Sequence, residues 1–358
     1  MMNRLKVGIV GLGTISQRLA DAVRQCNALE LAAVCHHREE RLREVAAQWG
    51  VGKAYLNYND MLADDDIGAV IIATPNHLHA SMTMDALKAG KHVFCEKPPA
   101  MDATEARQVR DCARQTRKLV MYGFMFRFSK KHALVKDLRD EGLFGDIFYA
   151  KAGIIRRCGD PGGWFSDKAL SGGGSLIDVG SHIIDLAVRL MGDYEPVSVF
   201  SRSFRNTENL DRVRAVSGYQ ALSSGTGIND VEELDVVMVN FSNGACLLVE
   251  TSTKSHIKED RMYLEMQGSK GGITVDPEIE IYTVHHNCLM DMKPNINCGQ
   301  FDYQGAIIDE IGHFADCVLN GTPCISSVEE GCKLMRIISA AYQSQREGTL
   351  VILQDEKE

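Results

Sequence analysis

No stretch of this 358-residue chain stays apolar for the roughly 20 residues that a membrane helix needs. A basic block is missing too. The net charge is -9 without a positively charged run, which sets aside nucleic acid and anionic membrane as partners. The eleven cysteines are odd in number and include no Cys-x-x-Cys pair, so they read as reduced thiols rather than a disulfide framework. The start, "MMNRLKVGIVGLG", has no signal-peptide core ahead of its first strand pattern, and a cytoplasmic location is expected. Internal repeats are absent. What is present is a 45% hydrophobic composition, enough for a sizeable core and about two domains of roughly 150 residues each.

Organisation changes along the chain. The first part alternates short apolar runs ("LKVGIV", "LELAAV", "GAVIIA", "KHVFC", "KLVMY") with amphipathic stretches such as Asp102 to Arg117, the pattern of parallel strands with crossover helices. The second part reads mainly as strands, and Asn243-Gly244 between two apolar runs marks a hairpin. A mostly antiparallel sheet follows, and one face or edge of it must be covered by helices or by another subunit. These patterns divide the chain into 1–124 and 125–358, with helices at about 305–320 and 327–346 closing the structure and a polar surface excursion at about 206–230.

"VGIVGLGTIS" at 7–16 ends a strand in Gly11-Leu12-Gly13 and opens a helix. Glycine permits the tight turn and lets backbone amides, those of Thr14 and Ile15 included, approach a pyrophosphate at the positive helix end. Position 16, where a third Gly or Ala is usual, is Ser. At the second strand's end, "AAVCHHREER" places His36, His37 and Arg38 where an acid would grip the ribose diol of NAD. Arg and His there suit the 2′-phosphate of NADP instead. "ATPNHLHA" and "CEKPPA" end the fourth and fifth strands, so Thr74, Pro75, Asn76, His79, Glu96, Lys97 and Pro98 line the expected cofactor crevice. Lys97 stands before a proline, which holds it extended or in a turn.

The ordered set Gly11-Leu12-Gly13, "TPNHLHA", "AGKHVFCEKP", "FMFRF", "EGLFGDI", "GGWFSD" and "GGGSLIDVGSHIIDL" resembles the Gfo/Idh/MocA oxidoreductases over most of the chain. The resemblance implies a Rossmann domain, then an α+β domain whose large, mostly antiparallel open sheet serves in oligomer contacts, with a substrate site between the two. It also carries the family's catalytic Lys onto Lys97 and its Asp and His onto Asp178 and His182. In a helix from 178 to 190, positions 178 and 182 share a face, and Gly172 to Gly174 leave bare backbone for a substrate to approach.

The resemblance and the residues together lead to an NAD(P)-dependent dehydrogenase or reductase of a sugar, sugar derivative or cyclitol, with NADP slightly favoured. Histidine is poised to take a proton near neutral pH, and an ammonium at the same oxygen stabilises a developing alkoxide. Lys97 and His182 are expected to converge on one hydroxyl. Arg127 is expected near the cofactor, and Arg156, Arg157, Trp164 and Asp185 beside the pocket, where Trp164 either stacks a sugar face or packs as an interfacial core residue. "HHNCLMDMKPNINC" gathers His285, His286, Cys288 and Cys298, but its spacing matches no tetrahedral site, so no metal is expected and the segment reads as a loop at the substrate mouth. A homodimer or homotetramer is expected. Redox-neutral glycoside cleavage through a transient keto-sugar, and a sensor without turnover, are the alternatives. Retention of Lys97, Asp178 and His182 speaks against the sensor.

Overall fold

The computed structural model describes residues 4–205, 210, 213, 221–222, 226–295 and 302–354. Most of the polar excursion expected at 206–230, and Cys298, lie outside them. The strands β1 (Leu5–Val10), β2 (Leu29–Cys35), β3 (Lys53–Tyr55), β4 (Ala69–Ile72), β5 (His92–Glu96) and β6 (Val120–Gly123) form one sheet in the order β3-β2-β1-β4-β5-β6. Every pairing in it is parallel. That order reverses between β1 and β4, which opens a crevice at the carboxyl ends of the strands. Helices α1 (Thr14–Gln25), α2 (Glu39–Trp49), α3 (Tyr58–Leu62), α4 (His79–Lys88) and α5 (Ala103–Thr116) make the crossovers. β4 is buried along its whole length, as a central strand covered by helices on both faces must be. The amphipathic stretch from Asp102 is α5, capped by the Asp102 carboxylate accepting from the amides of Thr104 and Glu105 at 2.8 and 2.9 Å.

A second sheet holds β7 (Ile147–Ile155), β8 (Pro196–Phe204), β9 (Leu234–Phe241), β10 (Cys246–Ser252), β11 (Arg261–Gly268), β12 (Gly271–Asp276), β13 (Glu280–His285), β14 (Cys288–Met292) and β15 (Val351–Ile352). Its order is β14-β13-β12-β11-β7-β10-β9-β8-β15, antiparallel except where β7 meets β10. The Asn243-Gly244 turn joins β9 to β10 with Gly244 at φ 84°. Helices α6 (Lys130–Asp140), α7 (Lys168–Ser171) and α8 (Ser181–Met191) follow or interrupt these strands, and α8 buries Ile183, Ile184, Leu186 and Ala187 against the sheet. The opposite face carries Val236, Met238, Leu248 and Tyr263, with no helix packed extensively on it among the described residues.

Two departures from the sequence reading stand out here. The segment read as a loop at the substrate mouth is the edge hairpin β13–β14, turned by His286 and Asn287 at φ 49° and 61°. Its alternation was hidden because both faces of β14 are exposed, with Leu289 at 89%. The Asp178 region begins as a π-helical turn, Leu176–Gly180, and only then becomes α8.

The closing helices lie where the periodicity puts them, as α9 (Tyr303–Asn320) and α10 (Val328–Glu347). Both return to the first sheet's helical layer, α9 against α1 and α10 against α5. Between them Ser326 accepts the Tyr122 amide at 2.9 Å and Ser327 bridges to Met121, so the chain's last third is fastened to the edge of the first sheet. Among the described residues no helix is long and apolar enough to cross a membrane.

Candidate active site

The glycine turn after β1 is sterically compulsory at one position and open at the other. Gly11 sits at φ 86°, and a Cβ there would lie 2.4 Å from the Ala73 carbonyl oxygen. Gly13 caps α1, and a Cβ on it meets nothing within 4 Å. Free space above a helix N-terminus fits a pyrophosphate. Ser16 is buried and folds its hydroxyl onto the Gly13 carbonyl at 2.7 Å, which explains how it replaces the usual Gly or Ala.

His36 is buried, its Nδ1 accepts the Arg38 amide at 3.0 Å, and His37 stacks on it at 4.5 Å. Burial, then the neighbouring His37, pushes the His36 imidazole down to about 4, so it is neutral and offers no cation. His37 and Arg38 are exposed at the end of β2. Sequence reasoning missed Arg41, whose Nε donates to the Leu12 carbonyl at 3.1 Å and so lies across the glycine turn. Its signal was available: one helical turn beyond Arg38 is the same face of α2.

The strand-end loops are tied to one another. His79 has ring nitrogens 2.9 Å from the Thr74 carbonyl and 2.8 Å from the Pro98 carbonyl, and Asn76 donates to the Ser171 carbonyl at 2.7 Å. Both side chains are buried struts of the crevice wall. The Thr74 hydroxyl is buried and has no partner among the described residues. Pro75 precedes the short turn at Asn76–Leu78, and the Lys97–Pro98 peptide is cis.

Lys97, just after β5, meets Asp178 on the π-helical turn that packs on β10, and the charges of both reach His182. The Lys97 ammonium lies 2.7 Å from the Asp178 carboxylate and 3.1 Å from its carbonyl, both side chains largely buried. Burial raises the Asp178 carboxyl, but Lys97 and then Arg156 outweigh it, and the group stays below the ordinary range, ionised. His182 lies one turn further on, its ring edge-on to Phe126 at 5.4 Å. Burial and then the Lys97 charge hold its pKa well below 6.5, and its buried Nδ1 has no partner among the described residues. The site therefore contains a cation, an anion and a neutral imidazole with an unsatisfied nitrogen. Glu96 accepts the Lys97 amide at 3.3 Å, and burial pushes its carboxyl up to about 7.

The bare backbone at Gly172 to Gly174 is filled by the protein itself. A Cβ on Gly174 would stand 1.8 Å from the Glu232 carbonyl oxygen, and one on Gly173 would stand 2.0 Å from the Tyr342 hydroxyl. Glycine there serves close packing under Asp178 rather than substrate approach. Arg127 turns inward: Nε and Nη2 meet the two Asp185 oxygens at 2.9 and 2.6 Å, and Nη1 donates to the Ile325 carbonyl. Arg156 donates to the Gly159 carbonyl at 3.1 Å and its charge reaches Asp178, whereas Arg157 is exposed and donates to the Lys258 carbonyl. Trp164 stacks on Phe165 with centroids 3.9 Å apart and is partly buried. Beside Asp178 a small cavity is walled by Asp160, Glu233 and Lys254, none singled out from sequence. The Lys254 ammonium lies 3.1 Å from Asp160 and 3.6 Å from Glu233.

Residues 5–124 match the Gfo/Idh/MocA model described as an oxidoreductase family with an NAD-binding Rossmann fold, and residues 136–353 match that of its C-terminal α/β domain. D-glucoside 3-dehydrogenase of Escherichia coli (strain K12) is 32% identical over 98% of this chain and 97% of its own. Levoglucosan dehydrogenase of Pseudarthrobacter phenanthrenivorans is 30% identical over 77% of this chain and 75% of its own. A solved levoglucosan dehydrogenase, in complex with NADH and levoglucosan, superposes with a TM-score of 0.85 at 23% identity, covering 98% of this chain and 99% of the other. Glycine turn, strand order and both family matches agree, and the chain belongs to the Gfo/Idh/MocA oxidoreductase family.

Proposed function

We propose that this protein is an NAD(P)-linked dehydrogenase or reductase acting on a secondary hydroxyl or ketone of an unphosphorylated sugar, sugar derivative or cyclitol. The observation that supports it most is the 2.7 Å pairing of Lys97 with Asp178 beside the unsatisfied imidazole of His182. Bound at the glycine turn, with Thr74, Asn76 and Glu96 lining its path, a nicotinamide cofactor supplies the acceptor or donor of a hydride. The remaining work falls to side chains. Asp178 aims Lys97, Lys97 stabilises negative charge on the substrate oxygen, and His182 takes or returns its proton. Arg156, whose charge reaches Asp178, and Trp164 are proposed as substrate contacts. The carboxylates of Asp160 and Glu233 disfavour a phosphate nearby.

The test is a panel of hexoses, glycosides, sugar phosphates and cyclitols assayed with both cofactors. Turnover confined to sugar phosphates, or to none of the panel, sinks the reading. Release of aglycone from a glycoside with no net change in nicotinamide absorbance instead identifies redox-neutral cleavage.

Cofactor choice follows from the end of β2. With no acid there to grip the ribose diol, and with Arg38 exposed and Arg41 one turn beyond, both cofactors are expected to work and NADP to bind somewhat better. An exposed Arg-phosphate contact contributes about 1 to 2 kcal/mol, about five- to thirtyfold in affinity. Fluorescence titration of each cofactor, repeated with Arg38→Ala, checks it. A clear NAD preference unchanged by that substitution would mean that Arg38 faces solvent.

Assembly is the other expectation. The uncovered sheet face with Val236, Met238, Leu248 and Tyr263, and the edge hairpin exposing Val284 and Leu289, are proposed to be buried in a homodimer or homotetramer. Light scattering at micromolar concentration should give a multiple of 39.5 kDa. A monomer there removes the idea.

A further inference from the structure

Helix α9 carries His313 and Cys317 four residues apart, hence on one face. It ends at Gly321 with φ 72°, where the Asp316 carboxylate accepts from Asn320 at 2.6 Å and from the Thr322 hydroxyl. This pinned turn brings Cys324 back over the same face. One imidazole nitrogen and two sulfurs then lie within 4.8 Å of one another, and His313 Nε2 is 3.3 Å from the Cys317 sulfur. Among the described residues no other three such donors are so gathered.

We propose that His313, Cys317 and Cys324 form a binding site for a thiophilic divalent cation of the Zn2+ class, separate from the candidate active site. With Zn–S near 2.3 Å and Zn–N near 2.1 Å, tetrahedral ligand atoms stand about 3.6 to 3.8 Å apart, so closure around an ion needs shifts of about 1 Å or less. The donors are soft or borderline, which excludes Mg2+ and Ca2+, whose sites are built from oxygens. His313 is already in the tautomer an ion requires: the Ile325 amide donates to Nε2 at 3.1 Å, so that nitrogen carries the lone pair. Cys317 is buried while His313 and Cys324 are partly exposed, which leaves an entry path and room for a water as fourth ligand. Binding exchanges two thiol protons for two metal–sulfur bonds and releases both protons to solvent. The Ile325 amide gives up its acceptor. No electron moves.

Occupancy would fasten the end of α9 to the segment Cys324–Ser327, whose Ile325 carbonyl accepts from Arg127 and whose Ser326 carbonyl accepts from Tyr122. The reduced, chelator-treated protein is titrated with Cd2+, read by the ultraviolet thiolate-to-metal charge-transfer band, and then challenged with Zn2+. One equivalent of Cd2+ should saturate the band, two protons should appear per ion, Zn2+ should displace it and Mg2+ should not. Cys317→Ser, Cys324→Ser and His313→Gln should each weaken binding at least about a hundredfold, while Cys246→Ser, outside the cluster, leaves it intact. A wild-type protein without a saturable band, or a band that survives Cys324→Ser unchanged, overturns the proposal. The readout needs no turnover, so the functional reading stands or falls separately.

Discussion

His182→Ala and Lys97→Ala should each lower turnover by about a hundredfold or more while cofactor affinity changes little, the size expected when a general acid or base is removed. The two losses should differ in character. Among the described residues His182 has no partner at Nδ1, so truncating it breaks no hydrogen bond at that nitrogen. Lys97 neutralises Asp178 at 2.7 Å, so its removal also leaves a buried carboxyl without its main counter-charge. That carboxyl should then titrate higher, and the variant should lose thermal stability as well as rate. The pH dependence carries a sign. Because burial and Lys97 hold the His182 pKa well below 6.5, its base form is present throughout the neutral range. The acid limb of kcat/KM should therefore fall below pH 6.5, and His182→Ala should abolish that limb. Near-normal turnover of His182→Ala on the true substrate would remove the assignment.

Asp185→Ala should cost about 3 to 5 kcal/mol of stability, because it strands a guanidinium with almost no exposed surface. Burial opposes ionisation of both partners. It raises the Asp185 carboxyl, and it works against the Arg127 cation until Asp185 more than reverses it. The two-point contact at 2.6 and 2.9 Å has the geometry of an ionised pair, and we assign it as one. Glu330 stands further off, 3.4 Å from Nη1, and makes a single contact where Asp185 makes two. Replacing both partners with apolar residues of similar volume, as in Arg127→Met with Asp185→Leu, should recover most of the loss. Thermal unfolding of the single and double variants decides this, and a loss under about 1 kcal/mol for Asp185→Ala would show that water or Glu330 already compensates Arg127.

The first sheet was legible because each of its strands is a short apolar run closed by a turn and followed by an amphipathic helix. Motif order singled out Lys97, Asp178 and His182, but the 2.7 Å contact of Lys97 with Asp178 comes from tertiary packing that no local pattern encodes. Other parts were hidden for physical reasons. β14 exposes both faces, so no alternation marks it as a strand. Arg127 and Asp185 are 58 residues apart, and only the packing of α8 beside Met125–Phe128 joins them. Gly173 and Gly174 looked like a substrate approach because the residues that fill their space, Glu232 and Tyr342, lie far along the chain. The π-helical turn before α8 has no signature in residue type. Proximity in sequence gathers "HHNC", which is an exposed turn, whereas His313, Cys317 and Cys324 gather only through a helix end and its return.

The return of α9 and α10 onto α1 and α5 also bears on how the protein is made. A nascent chain leaves the ribosome from its N-terminus, so the first sheet and its helices emerge long before the two helices that cover them. At about 5 to 20 residues per second, that interval is on the order of ten seconds or more. Throughout it, the apolar surfaces of α1 and α5 and the edge of β6 at Met121 and Tyr122 are open to wrong partners, including neighbouring nascent copies. The N-terminal half thus completes its own core only once α9 and α10 have emerged to cover it.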